Sequence, residues 1–327
     1  MKSMLDARVS RRRALFWLSL SPALASVRSE DIQAAPPAPT LDLPLKEGSL
    51  RFAVMGDTGR GDRGQIEMAK EIEIIHAMYP FDLVLMVGDN IYGSDSPADM
   101  QRKFERPYEA LLQRGVKFQA ALGNHDNPNQ RFYKPFNMGD RRYYTFRPPK
   151  SSGVRFFVLD TNYVDKEQTD WLEKELASST SDWKIAYFHH PLYSSGATHG
   201  SALETRATLE PLFVKYGVSA VFAGHDHFYE RIKPQKGGIV HWVCGAGGSL
   251  RKGDIRKTNL TAKGFDTDYH FMIAEISGDD LFFQAISRGG QTIDSGVVKK
   301  VAWVPPPAAP LATPPSAPAP APDASPR

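Results

Sequence analysis

Leu50-Arg51-Phe52-Ala53-Val54-Met55 runs directly into Gly56-Asp57-Thr58-Gly59. The apolar run has the length and composition of a buried strand, and the Gly-Asp-Thr-Gly that stops it reads as a loop. The arrangement recurs. Gly88-Asp89-Asn90-Ile91-Tyr92 follows the apolar run 81–87, and Gly123-Asn124-His125-Asp126 follows 116–122. His189-His190-Pro191 follows 183–188, and Gly224-His225-Asp226-His227 follows 218–223. A further strand is expected at 154–159, and helical patterns at 65–78, 97–114, 168–177 and 203–216 alternate with the strands. Alternation of this kind predicts an α/β fold. Beyond residue 230 the pattern changes to strands and Gly-rich turns, at 239–244, 271–276, 281–286 and 292–298. These are expected to form the second sheet of a sandwich flanked by helices.

In open α/β sheets, ligands bind beyond the carboxyl ends of the strands. Every motif above sits at such an end, and every one carries a metal-binding side chain. Asp57 and Asp89 offer carboxylates, Tyr92 a phenolate, Asn124 a neutral oxygen, and His189, His225 and His227 imidazoles. Asp89 is placed to bridge two ions. The two imidazoles of Gly-His-Asp-His fall on one side of an extended segment and can serve different ions. Such a set suits two-metal hydrolysis of a phosphoester. Taken singly, each residue has a plainer reading as a turn residue, a packing aromatic or a solvated histidine. Jointly, five motifs in this order favour the metal site. His190, Asp126 and Asp226 are expected to orient the ligands, with His190 pointing away if its strand continues. His76, His241 and His270 are expected to be structural or solvated. Gly245-Ala246-Gly247-Gly248 lacks the strand–helix context of a nucleotide loop and reads as a tight turn near the site.

From about Arg51 to Arg288 the chain resembles the calcineurin-like metallophosphoesterases, and among them the purple acid phosphatases. The superfamily's first motif usually contains Asp-x-His. Here Asp57-Thr58-Gly59 lacks the histidine and the second motif supplies Tyr92, which is the mark of the purple acid subgroup. The resemblance implies a four-layer α/β/β/α sandwich of two mixed sheets. It implies that Asp57, Asp89, Tyr92 and His227 hold Fe(III), and that Asp89, Asn124, His189 and His225 hold a divalent Fe, Zn or Mn. It also implies that His125 and His199 meet the phosphate, one of them protonating the leaving oxygen after attack by a metal-bound hydroxide. Histidine 199 lies one residue further along than in the mammalian-type pattern. The implied activity is an acid phosphatase on phosphomonoesters, with an acidic pH optimum. A phosphodiesterase or nucleotide-pyrophosphate hydrolase on the same scaffold is the alternative enzyme. A phosphate- or metal-binding protein without catalysis is the alternative outside enzymes. The substrates expected are phosphorylated small molecules or a phosphoprotein.

The chain has 327 residues and a formal charge of +3. Residues 1–25 carry five basic residues against one acidic, so the remainder is formally −1. The basic character therefore comes from the N-terminal segment and does not argue for a nucleic-acid surface. That segment reads as an export leader: Ser10-Arg11-Arg12-Arg13 precedes the apolar run 14–24, and Ala23-Leu24-Ala25 offers a cleavage site. The arginine pair is closer to a twin-arginine signal than to a general secretory one, which predicts a periplasmic or secreted protein. Cys244 is the only cysteine, so no intrachain disulfide and no multi-cysteine metal site can form. A Pro/Ala-rich linker is expected at 26–48, one catalytic domain at 49–300, and a disordered Pro/Ala-rich tail at 301–327. No transmembrane span is expected in the mature chain.

Overall fold

The computed structural model describes residues 40–149, 151, 153–180 and 183–303. The leader and most of the linker and tail lie outside them.

Two mixed sheets face each other. The first contains β1 (Leu50–Met55), β2 (Leu83–Met86), β3 (Lys117–Ala120), β11 (His270–Ser277), β12 (Asp280–Ser287) and β13 (Thr292–Lys299), in the order β13-β12-β11-β1-β2-β3. The second contains β4 (Tyr144–Phe146), β5 (Val154–Val158), β6 (Trp183–Tyr187), β7 (Ala220–Ala223), β8 (Tyr229–Ile232), β9 (Val240–Cys244) and β10 (Thr261–Phe265), in the order β10-β8-β9-β7-β6-β5-β4. Strand alternation assigns each side chain a layer. Phe156 of β5 points between the sheets and meets Phe52 of β1, with ring centroids 5.6 Å apart, while Trp242 of β9 meets Phe283 of β12 at 5.3 Å. Phe157, one residue on, points the other way, into a second core with Leu172 and Leu176 of α4 (Lys166–Ala177) and Leu209 and Phe213 of α5 (Leu203–Tyr216). On the outer face of the first sheet, Met68, Ile72 and Ile75 of α1 (Arg63–Met78) are buried, and Tyr79 donates to the carbonyl of Ala274. The result is the expected α/β/β/α sandwich.

Strand membership differs from the expectation. The late strands do not make up the second sheet. β11 pairs antiparallel with β1 and carries β12 and β13 with it into the first sheet, whereas β8, β9 and β10 join the second. A strand's apolar pattern says that it is buried, not which edge it pairs with. The expected helix at 97–114 is also broken, into α2 (Pro97–Met100), a π turn (Gln101–Glu105) and α3 (Glu109–Gln113). Pro107 has no N–H to give the Lys103 carbonyl four residues back, and the Arg106 N–H bonds Gln101 instead. The freed Lys103 carbonyl accepts from the Gln65 side chain.

Residues 40–48, expected as linker, are docked. Glu275 and Gln284 are buried on the first sheet and need donors. The N–H groups of Leu45 and Lys46 donate to Glu275 at 2.9 and 2.6 Å, that of Asp42 donates to Gln284 at 2.8 Å, and Leu43 enters the core. At the other end Val301 N–H bonds Ser219, and the Trp303 indole bonds the Lys215 carbonyl at 2.8 Å. The folded unit is therefore wider than 49–300.

His241 and His270 are structural, as expected, and burial pushes each down to about 3. Neither ring has a hydrogen-bond partner among the described residues. An unfolded histidine titrates near 6.5. Below that pH the unfolded chain takes up protons that the native core refuses, so stability falls as pH drops from about 6.5 toward about 3. The loss should reach roughly 2 kcal/mol per histidine at pH 5. Urea unfolding at pH 7 and pH 5 measures it; His241→Phe and His270→Phe should each flatten the pH dependence by about one proton.

Candidate metal centre

The five motifs converge because the strands that carry them are neighbours. β1, β2 and β3 lie side by side and parallel, so Asp57, Asp89 and Asn124 leave the same edge of the first sheet. β6 and β7 are parallel neighbours in the second sheet and bring His189 and the His225/His227 pair to the facing edge. The turns are tight. Asp57, Asp89 and His225 all have left-handed backbone, with φ of 57°, 52° and 71°.

On one side of the centre, the Tyr92 hydroxyl lies 3.2 Å from Asp57 Oδ1 and 3.1 Å from His227 Nε2, and these two atoms are 3.3 Å apart. Atoms of Asp57, Asp89 and His227 lie within 4.8 Å of one another. On the other side, His189 Nε2 is 2.9 Å from Asn124 Oδ1, 3.1 Å from His225 Nδ1 and 3.4 Å from Asp89 Oδ1. Ligand atoms about 2.1 Å from one ion lie roughly 3 Å apart around it. The measured pairs on both sides have that spacing, and Asp89 groups with both sets.

The protonation states fit cations as well. His189 Nδ1–H donates to the Val87 carbonyl at 3.0 Å, which leaves the Nε2 lone pair facing the site. That lone pair confronts the oxygens of Asn124 and Asp89, an arrangement of acceptors that a cation between them relieves. Burial, then the neighbouring His190, holds His189 well below the ordinary histidine range. Burial first, then His189, pushes His225 down to about 2; burial, then Arg251 and Arg60, pushes His227 down to about 4. The imidazoles are therefore neutral, as metal-ligating imidazoles have to be. Asp57 is pushed well up by burial and then by the Asp89 charge, and burial raises Tyr92. Buried carboxylates side by side are costly unless positive charge compensates them.

Surrounding side chains hold the donors in place. Asp126 accepts from the backbone of Gly123, Asn90 and Ile91, at 2.8, 3.0 and 2.9 Å, and so ties the third motif to the second. Burial, then Asp89, raises it to about 8. Asp226, expected to orient a ligand, instead accepts from Ser194 Oγ and the Gly200 N–H, anchoring the loop that carries His199. His190 does not point away. The strand β6 ends at Tyr187, the chain turns, and the His190 ring stands 4.5 Å from that of His225 with Nδ1 2.9 Å from Thr161 Oγ1. Its donor atom groups with those of His189 and His225. His125 and His199 are both exposed at the mouth. His125 packs against Tyr92, centroids 4.8 Å apart, and its backbone N–H bonds Asp89 Oδ1; His199 packs on His225 at 4.2 Å.

Two contributors were missed by the sequence reading. Lys103, in the π turn, donates to the carbonyls of Tyr92 and Ser94 at 2.7 and 2.6 Å, and so fixes the Tyr92 loop. Arg60 lies with its guanidinium 3.8 Å over the Tyr92 ring. Its place directly after Gly59 in the first motif was the only hint.

Gly88 is required by space as well as by its φ of 94°: a Cβ there would lie 2.5 Å from His189 Nδ1. Gly88→Ala must therefore displace His189 or strain the turn. A destabilisation of about 1–3 kcal/mol and at least tenfold weaker metal binding are expected. Thermal unfolding and metal titration measure the two effects.

A model of the calcineurin-like phosphoesterase family matches residues 50–229. The chain belongs to that family. It is thereby a member of a group of metal-dependent phosphoric ester hydrolases. Among curated relatives, it is 24% identical over 297 residues to tartrate-resistant acid phosphatase type 5 of Rattus norvegicus, covering 75% of this chain and 89% of that one. It is 28% identical over 285 residues to probable purple acid phosphatase 20 of Arabidopsis thaliana, covering 76% and 60%. Among solved structures, purple acid phosphatase PPD1 of yellow lupin shares the fold, with a TM-score of 0.64 and 22% identity over 77% of this chain and 54% of that one. GAP50, the anchor in the inner membrane complex of Plasmodium, does so with a TM-score of 0.66 and 22% identity over 77% and 89%. A likeness at that level speaks for the fold alone. Members of one fold can serve as an anchor or as a phosphatase, so this chain's own donor set has to carry the functional argument. No helix among the described residues is long and apolar enough to cross a membrane.

Proposed function

We propose that this calcineurin-like phosphoesterase is a dinuclear-metal acid phosphatase acting on phosphomonoesters. The observation that carries the reading is His189 Nε2, an acceptor held 2.9–3.4 Å from three other donor atoms, of which Asp89 is shared with the Asp57–Tyr92–His227 group. In this reading Asp57, Asp89, Tyr92 and His227 hold Fe(III), and Asp89, Asn124, His189 and His225 hold a divalent Fe, Zn or Mn. Two carboxylates and a phenol are what a hard trivalent ion prefers. When bound, such a pair supplies a hydroxide nucleophile and positive charge for the phosphoryl oxygens.

The remaining steps fall to side chains. His125 and His199 stand on opposite flanks of the donor set, one against Tyr92 and the other against His225. Both are solvent-exposed, so both can reach a phosphate at the mouth. Either can pass a proton to the leaving oxygen, a contribution of about 10²–10⁴-fold. Asp89 fixes the backbone of His125, and Asp226 fixes the loop of His199. The leader at residues 1–25 supports export, so the expected substrates are phosphorylated small molecules or phosphoproteins outside the cytoplasm.

Side-by-side assay of phenyl phosphate and bis(4-nitrophenyl) phosphate tests the reading. The metal-loaded protein should favour the monoester by at least about tenfold in kcat/KM, which is about 1.4 kcal/mol. Its rate should peak below pH 7. A preference for the diester would support the phosphodiesterase alternative. Hydrolysis of neither would support a binding protein.

A further inference from the structure

We propose that Arg60 and Arg251 form a second anion-binding subsite beside the metal centre, one that takes a carboxylate or further phosphate carried by a phosphomonoester substrate. The proposal rests on the phosphoester reading above and deepens it by naming a substrate class.

Several arginines among the described residues are committed to carboxylates. Arg63 pairs with Glu67, Arg142 with Asp160, Arg155 with Glu175 and Arg231 with Asp294. Arg60 is not. Its Nε donates to Ser249 Oγ at 2.8 Å and its plane lies 3.8 Å over the Tyr92 ring. Its two terminal nitrogens have no hydrogen-bond or ion-pair partner among the described residues. An unpaired arginine on a surface is ordinary. One held by two contacts, on the ring of a metal-centre donor, has already lost the freedom that anion binding would otherwise take from it.

Arg251 reaches the same flank by a different route. Gly245-Ala246-Gly247-Gly248 leaves β9 pressed against the Asp57 turn, with the Gly247 N–H bonded to the Gly56 carbonyl at 3.0 Å. A Cβ on Gly248 would lie 2.2 Å from the Thr58 carbonyl oxygen, so only glycine permits the approach. This turn delivers Ser249, the anchor of Arg60, and then Arg251, whose N–H bonds the His227 carbonyl at 3.0 Å. The nearest carboxylate oxygen, on Asp254, stands 3.9 Å from Arg251 Nη1, and that nitrogen has no hydrogen bond among the described residues. Both guanidinium charges bear on His227. Two incompletely paired cations, tied to Tyr92 and His227, one on an exposed residue and one on a half-buried residue whose Nη1 is itself buried, suit an anion lying beside the scissile phosphate. A planar fork of N–H donors suits carboxylate and phosphate alike.

Calorimetry with two non-hydrolysable probes tests this without relying on turnover. Phenylphosphonate and 4-carboxyphenylphosphonate differ only in the second anion. The metal-loaded full chain should bind the carboxylated probe about tenfold more tightly, a difference of about 1.4 kcal/mol. Arg60→Gln and Arg251→Gln should each cut that ratio at least threefold, and the double variant should bring it close to one. Arg60→Lys should keep part of it, and added salt should reduce it. The proposal is overturned if the wild-type chain binds neither probe or shows no preference. It is also overturned if the single variants keep the ratio, or if they weaken both probes in parallel, which would mean that the arginines act through the metal centre. Failure to hydrolyse phenyl phosphate with the probe preference intact would instead remove the phosphatase reading.

Discussion

Asp89→Ala is expected to empty both halves of the centre at once. Asp89 is buried, and its carboxylate lies 3.4 Å from His189 Nε2 while grouping with Asp57 and His227 on the other side. A donor belonging to one half would take one ion with it when removed; a shared donor takes two. Its Oδ1 also receives the His125 N–H at 2.9 Å, so the loop of a proposed proton donor loosens as well. Outer residues alone cost 10–100-fold in metal affinity or activity. Removal of a shared ligand should therefore lower phenyl phosphate hydrolysis by more than about 10²-fold. The backbone needs a control, because Asp89 has φ of 52° and alanine is strained there. Asp89→Asn tolerates the left-handed conformation and removes only the charge. Metal analysis of both variants, beside circular dichroism for the fold, decides the matter. A full complement of two ions in Asp89→Asn would contradict the bridging role.

Tyr92→Phe should leave the fold almost unchanged and abolish the phenolate-to-iron absorption of the iron-loaded protein. The phenylalanine keeps the ring that packs on His125 and supports the Arg60 guanidinium. What disappears is one oxygen, 3.2 Å from Asp57 Oδ1 and 3.1 Å from His227 Nε2. The remaining Asp57, Asp89 and His227 are a poorer set for a trivalent ion, so iron affinity should drop at least about tenfold. A visible spectrum taken before and after the substitution is sufficient. A variant that remains purple would remove Tyr92 from the iron, and with it the specific link between this chain and purple acid chemistry.

Much of the centre was legible in the sequence because each donor is announced locally. A strand read from its own apolar run ends at a turn, and the turn carries the ligand. The Gly56-Asp57 and Gly88-Asp89 turns are of this kind, and the structure brings their carboxylates into one group with His227. What was not legible depends on contacts between distant residues. His190 was expected to turn away only if its strand continued; the chain bends after Tyr187, and the ring enters the site. Lys103 was one polar residue in a helical pattern. Only the π turn before Pro107 and the approach of the Tyr92 loop make it a support for the centre.

The same division holds for the whole chain. Periods of two and 3.6 residues are properties of neighbouring side chains, so strands, helices, ligand types and their placement at strand ends could be read from the amino-acid order. Pairing is different, because any strand edge offers the same backbone donors and acceptors to any other. Only the packed structure decided that β11 lies beside β1, that Glu275 and Gln284 capture residues 42–46, and that Arg60 rests on Tyr92.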